Sequence, residues 1–256
     1  MNRTIAAYAF KTWFRVRGSF AGPLVFLSLM FLVEGSFWTA LGGRAGRIAA
    51  YSRPQMLLYI FGALIISQVS ACIGEPDGLA EKIESGSLDG FLLRPQSYLV
   101  QMGSIQTGLC LARMTVLAPI LIACEWALTG RVSWSAQAAL LVLLPFAAAL
   151  NFLINQSLLT LTFYYRDSYA LVVFKETLFW ALSGMMIPLD LFPGPIARAA
   201  RLLPSAYIVY YPAKVLSGEL SWTAVILPQL AYLAFFFAVA WWIWAAGVKR
   251  YQAYGG

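Results

Sequence analysis

The sequence predicts an all-α membrane protein. It has six transmembrane helices, an N-terminal amphipathic helix in the membrane interface, and short re-entrant helices between spans five and six. Three observations predict it. Hydrophobic residues make up 61% of the 256 residues and charged residues 11%, against roughly 45–50% and about 25% in soluble domains. Mean hydropathy is +0.72, more apolar surface than a soluble fold can hide, so lipid is the solvent for most of it. Finally, the apolar residues gather into stretches long enough to cross a bilayer.

A span needs about 20 apolar residues to cross a core of about 30 Å. Six stretches qualify: 19–41, 55–74, 98–128, 137–164, 169–187 and 222–248. The third is too long for an upright helix, so it extends beyond the bilayer or breaks. Residues 1–18 carry no cleavable apolar region and do not read as a signal peptide. An even count of spans puts both termini on one side. The tails hold Arg3, Lys11, Arg15, Arg17, Lys249 and Arg250 with no acid, which argues for cytoplasmic termini. With that orientation the cytoplasmic segments hold nine Lys/Arg and the external ones seven, Arg44, Arg47 and Arg53 among them. The N-terminal tail decides it, because the first span usually dominates. The whole chain, 1–256, reads as a single transmembrane domain.

Before the first span, Thr4, Lys11 and Arg15 share a polar stripe on a helical wheel. Ile5, Ala9, Trp13 and Val16, widened by Phe10 and Phe14, form the opposite face. Aromatics beside bases suit a helix in the headgroup plane; the alternative is a simple extension of the first span. Between spans two and three, residues 75–97 are the most charged part of the chain. Asp77 and Glu81 suit the start of a short helix, Leu79 and Ile83 share one of its faces, and Gly86 and Pro95 end it. Such an amphipathic helix offers a soluble partner a grip; an ordinary polar loop is the alternative. Between spans five and six, Pro188, Pro193, Pro195, Pro204 and Pro212 cut a largely apolar stretch, 188–221, into pieces too short to span. Re-entrant helices packed against protein fit it best.

Much chemistry is excluded. The chain has no His, the commonest zinc ligand and general base near neutral pH. Cys72, Cys110 and Cys124 lie in apolar stretches without CxxC spacing and read as small, reduced packing residues. No phosphate loop and no GxGxxG motif is present. The net charge of +7 suits anionic lipid headgroups rather than nucleic acid. No catalytic or metal site is expected on this chain. Four charges fall within the spans: Glu34, Arg113, Lys175 and Glu176. Glu34 and Arg113 both lie roughly 22 Å above the cytoplasmic ends of their spans, so a pair is expected between them. A structural ion pair and a substrate contact remain alternatives. Lys175 lies lower and can snorkel, and Glu125 falls near the outer, wetter end of its stretch.

The run Glu81-Lys-Ile-Glu-Ser-Gly-Ser-Leu-Asp-Gly-Phe-Leu-Leu-Arg-Pro95 resembles the first cytoplasmic loop of ABC-2 type transporter permeases. Ile187-Pro-Leu-Asp-Leu-Phe-Pro193 and Leu203-Pro-Ser-Ala-Tyr-Ile-Val-Tyr-Tyr-Pro-Ala213 are similar to the segment between that family's last two spans. Ser205-Ala206 departs from it, where many relatives carry Phe after the Pro. The resemblance implies the permease subunit of an ATP-driven, type V-like exporter in a bacterial inner membrane. A second permease, identical or homologous, pairs with it, and two cytoplasmic ATPase subunits carry the ATP and Mg. It further implies ATPase coupling through Leu79, Glu81, Lys82, Ile83, Glu84, Gly86, Leu88, Asp89, Arg94 and Pro95. The resemblance also implies a second, smaller contact at Arg166 and Asp167. A secondary carrier or channel working alone is the alternative, against which stand the missing inverted repeat and proton-relay carboxylates.

Overall fold

The computed structural model describes residues 3–42, 47, 48, 51–71, 79, 82, 88, 90, 93, 96–165 and 169–250. Its first helix, α1 (Arg3–Arg15), is separated by a bend at Val16 from α2 (Arg17–Gly42), so the N-terminal helix is distinct from the first span. A two-residue hairpin, β1 (Arg47–Ile48) and β2 (Tyr51–Ser52), leads into α3 (Arg53–Ser70). Pro54 at the helix start and the Ser52–Gln55 capping box fix where α3 begins.

The third stretch extends rather than breaks. It forms α4 (Tyr98–Thr129), 32 residues without interruption, about 48 Å long. Gly130 in the left-handed region (φ 72°) stops it, its N–H donating to Trp126. α5 (Trp134–Leu159) returns antiparallel through this tight connection and ends in a 3-10 turn, Thr160–Phe163. α6 (Tyr169–Leu182) follows, then a 3-10 turn at Leu189–Leu191 and three short helices, α7 (Gly194–Arg201), α8 (Pro204–Ile208) and α9 (Tyr210–Leu216). Prolines at the starts of α7 and α8 delimit these pieces, as the proline spacing predicts. α10 (Trp222–Gly247) closes the fold.

Among the described residues, four helices are long and apolar enough to cross a membrane: Ala21–Leu41, Tyr98–Thr129, Trp134–Phe163 and Trp222–Arg250. The other two expected spans fall short of that measure. α3 has 18 residues and α6 has 14, the latter about 21 Å. The reason differs for each. α3 is sheathed by protein, buried from Met56 to Ser70 except at a few positions, so its ends tolerate Arg53, Gln55 and Gln68. α6 is terminated early because Gly184 takes φ 79°, with the Tyr59 hydroxyl donating to its carbonyl at 2.7 Å.

The main core gathers around α3, with Tyr59, Ile60, Leu64 and Ile66 meeting Leu117 and Leu121 of α4, Leu140 and Ala147 of α5, and Ile208, Tyr210 and Leu216 beyond them. α8 and α9 thus pack into the bundle. A second cluster lies where α4 begins and α5 and α10 end: Leu79, Leu88, Tyr98, Leu99, Leu159 and Trp244. There the Tyr98 and Trp244 rings stack at 4.8 Å.

Candidate functional site

The end that carries the 75–97 segment corrects one expectation. Leu79 and Leu88 are 1% and 0% exposed and belong to the chain's own cluster with Tyr98 and Trp244. They anchor the segment to the bundle and are not available to a docking protein. The reason is that apolar spacing fixes which residues share a face, not what that face meets. Lys82 is half-buried, and its carbonyl accepts the Leu88 N–H at 3.0 Å. Glu81, Ile83, Glu84, Gly86, Asp89, Arg94, Pro95, Arg166 and Asp167 lie outside the described residues. Leu93, which the spacing argument passed over, is 86% exposed. Its signal was an apolar run, Phe91-Leu-Leu93, within the most charged loop.

Glu34 and Arg113 do not form the expected pair. The Trp38 indole N–H donates to Glu34 at 2.8 Å on α2 itself. The Arg113 guanidinium, 4% exposed, instead reaches the end of α3 and donates to the carbonyls of Gln68 and Ala71. A cation there satisfies carbonyls that the helix leaves without partners and complements its dipole. Gln106 adds a second donor to the Ala71 carbonyl at 3.0 Å, and the Asn151 amide donates to Ser70 at 3.0 Å. Helix length sets height in the bilayer but not azimuth around the bundle, hence the wrong partner.

Lys175 does not snorkel. Its ammonium donates to Asn151 Oδ1 (3.1 Å), Asn155 Oδ1 (2.8 Å) and Glu176 Oε1 (2.6 Å), joining α6 to α5. Its neighbour Glu176 retains 44% side-chain exposure, on a helix whose Leu171, Val173, Phe174 and Leu178 are also exposed. α2 presents Val25, Leu29, Leu32, Val33 and Phe37 likewise, and Phe26 meets Trp180 of α6 at 6.2 Å. Glu125 is buried rather than wet, accepting from the Ser133 N–H (2.9 Å) and the Gln137 amide (2.7 Å).

At the opposite end a single carboxylate collects four donors. Asp190 accepts from the Tyr51 hydroxyl (2.6 Å), the Tyr210 hydroxyl (2.7 Å), Arg201 (2.6 Å) and Lys214 (2.5 Å). Lys214 also meets Glu219 at 2.5 Å and lies 4.5 Å from the Tyr51 ring centre. Burial pushes the Asp190 carboxyl up, but hydrogen bonds from Lys214, Tyr51 and Tyr210 and the Lys214 charge hold it below the usual carboxylate range. The hub ties β2, α7 and α9 together. No spacing in the sequence announces it.

Among the described residues no group of three or more acids and cysteines is arranged to hold a metal ion, and Cys110 and Cys124 are free thiols. An apolar groove of about 640 Å³ lies between α4, α5 and α10, with Gly103, Ala148 and Ala234 in its lining. The family model described as ABC-2 family transporter protein matches residues 24–255. The chain belongs to the ABC-2 transporter family. It is therefore a multi-pass membrane protein of a family whose permeases work with ABC ATPase subunits. No curated protein shows a significant match to it.

Proposed function

We propose that this ABC-2 chain is the permease subunit of an ATP-driven exporter. It crosses a bacterial inner membrane six times, with both termini cytoplasmic and α3 and α6 completing the four longer spans. The family match over residues 24–255 carries this reading. ATP and Mg reside on two partner ATPases, consistent with a sequence that lacks a phosphate loop.

Geometry supports the division of surfaces. The backbone of α1 meets α4 at Gly108, about 15 Å along α4 from Tyr98. With α1 in the headgroup plane, the start of α4 projects into the cytoplasm, and Leu93 is exposed to a soluble partner. Glu176 and the half-buried Glu34 are carboxylates at membrane depth on the α2/α6 side. A charge facing lipid is costly, so this side meets a second permease and the substrate path between the two. An amphipathic or hydrophobic cargo suits the apolar residues around those carboxylates.

The test is capture of the ATPase by the full chain in detergent. Leu93→Asp and, separately, Glu81→Lys with Glu84→Lys are expected to reduce captured ATPase at least tenfold in chains that insert normally. Capture unchanged in both variants would move the docking site elsewhere.

A further inference from the structure

The last carbonyls of α3 are held by side chains from two other helices. Arg113 and Gln106 of α4 take Gln68 and Ala71, and Asn151 of α5 takes Ser70. Ala71 (φ −56°, ψ 132°) is where the chain leaves the helix for the 75–97 loop. Asn151, 5% exposed, is engaged at both ends of its amide. Its nitrogen donates to Ser70 of α3, and its oxygen accepts from Lys175 of α6. Among uncharged side chains of this size, only asparagine has a donor and an acceptor in one rigid plane. The amide orientation follows from its partners, a carbonyl on one side and an ammonium on the other.

Apolar contacts of α6 run through Val172, Phe179 and Leu182. Leu171, Val173, Phe174 and Leu178 face away from the bundle, and Lys175 is the residue through which α6 reaches the polar groups of α5. Inside a low-dielectric bundle such a network is strong when complete and costly when broken. We propose that Asn151 is a positioning residue that links the root of the 75–97 loop to α6, so that displacing the loop moves α6. The inference rests on the ATPase-driven reading above and names the route within it. Coupling of this kind requires that nucleotide favour one position of α6 over the other.

The test uses the full chain with its ATPase in lipid nanodiscs, the native cysteines replaced by alanine. Spin labels are placed at Thr177 on α6 and Thr223 on α10, both exposed and outside the network. The label distance is measured without nucleotide and after ATP with vanadate. A nucleotide-dependent shift is expected in the parent, and its loss in Asn151→Leu and in Lys175→Met, with ATPase capture retained. Lys175→Met cuts the same chain at its other bond and serves if Asn151→Leu fails to accumulate. Asn155→Leu leaves the bond to α3 intact and keeps the shift, which a general loosening of the bundle would not. A full shift in either Asn151→Leu or Lys175→Met, or no shift in a parent that captures ATPase, overturns the link. Failure of the parent to capture ATPase overturns the permease reading itself, and the capture step distinguishes the two.

Discussion

Replacing Gly108 by alanine tests how α1 is seated. A Cβ at this position stands 2.2 Å from the Ala6 carbonyl oxygen, 3.0 Å from its carbon and 3.1 Å from its Cα. All three are backbone atoms of α1, so no side-chain rotation relieves the overlap. Carbon–oxygen contacts settle near about 3.3–3.6 Å, so α1 must retreat by about 1 Å. A gap of about 0.5–1 Å forfeits about a quarter to a half of each dispersion contact. Ala6, Ala9 and Trp13, the buried residues of α1, sit against that gap. Alanine favours the helical state of α4 by about 1 kcal/mol over glycine. Overpacking costs about 1–3 kcal/mol, which leaves a net loss of up to about 2 kcal/mol, concentrated on α1. Hydrogen exchange of the full chain in nanodiscs reads it directly, because about 1.4 kcal/mol of local opening is tenfold in rate. Amides of α1 are expected to exchange several-fold to about twentyfold faster, with α10 unchanged. Wild-type protection of α1 together with a more stable chain would refute the backbone contact at Gly108.

Three further substitutions probe the rest of the bundle. Gly184→Ala forces a Cβ onto a φ of 79°, 2.8 Å from the Tyr59 hydroxyl oxygen and 3.0 Å from the Tyr210 Cβ. Left-handed backbone alone costs roughly 1–2 kcal/mol, so a lower thermal midpoint in detergent is expected. Asp190→Asn leaves Lys214 with Glu219 as its remaining carboxylate partner. Asp190 keeps 29% side-chain exposure, so the loss falls between a surface and a buried pair, about 2–3 kcal/mol. The Asp190 carboxyl titrates below its ordinary value in the folded chain. Its contribution is therefore complete above the unfolded value near about 3.9 and disappears as pH falls through the folded one. The wild-type advantage over Asp190→Asn, followed by thermal unfolding, is expected to be flat near neutrality and to shrink below about pH 4. Arg113→Met withdraws donors from Gln68 and Ala71 at a cost of roughly 1–3 kcal/mol. Faster exchange in the last turn of α3 is its signature.

The sequence was most readable where a local pattern and its cause coincide. Prolines cut the 188–221 stretch into the short helices that form there, and the aromatic-and-basic segment before the first span is a helix of its own, broken at Val16. Its buried face is Ala6, Ala9 and Trp13. The expected apolar residues Phe14 and Val16 are exposed beside Arg15, as suits a helix that touches lipid. Azimuth and long-range partners were less readable. Height alone points Arg113 to Glu34, yet it faces the end of α3. Leu79 reads as half of an amphipathic face, yet it packs in one cluster with Tyr98 and Trp244 of its own chain. The Asp190 hub draws on Tyr51, Arg201, Tyr210 and Lys214, residues whose meeting depends on how β2, α7 and α9 pack. α6 reads as a full span by hydropathy, but Gly184 ends it after 14 residues.

The central claim is that this chain transports only as part of an assembly powered by another polypeptide. Native mass spectrometry of the full chain, released from nanodiscs after co-expression with an ABC ATPase encoded in the same genome, tests that claim most directly. The account predicts one species holding two permease chains and two ATPases, lost on Leu93→Asp. A permease that appears only without ATP-binding chains, while moving substrate on its own in vesicles, would contradict it.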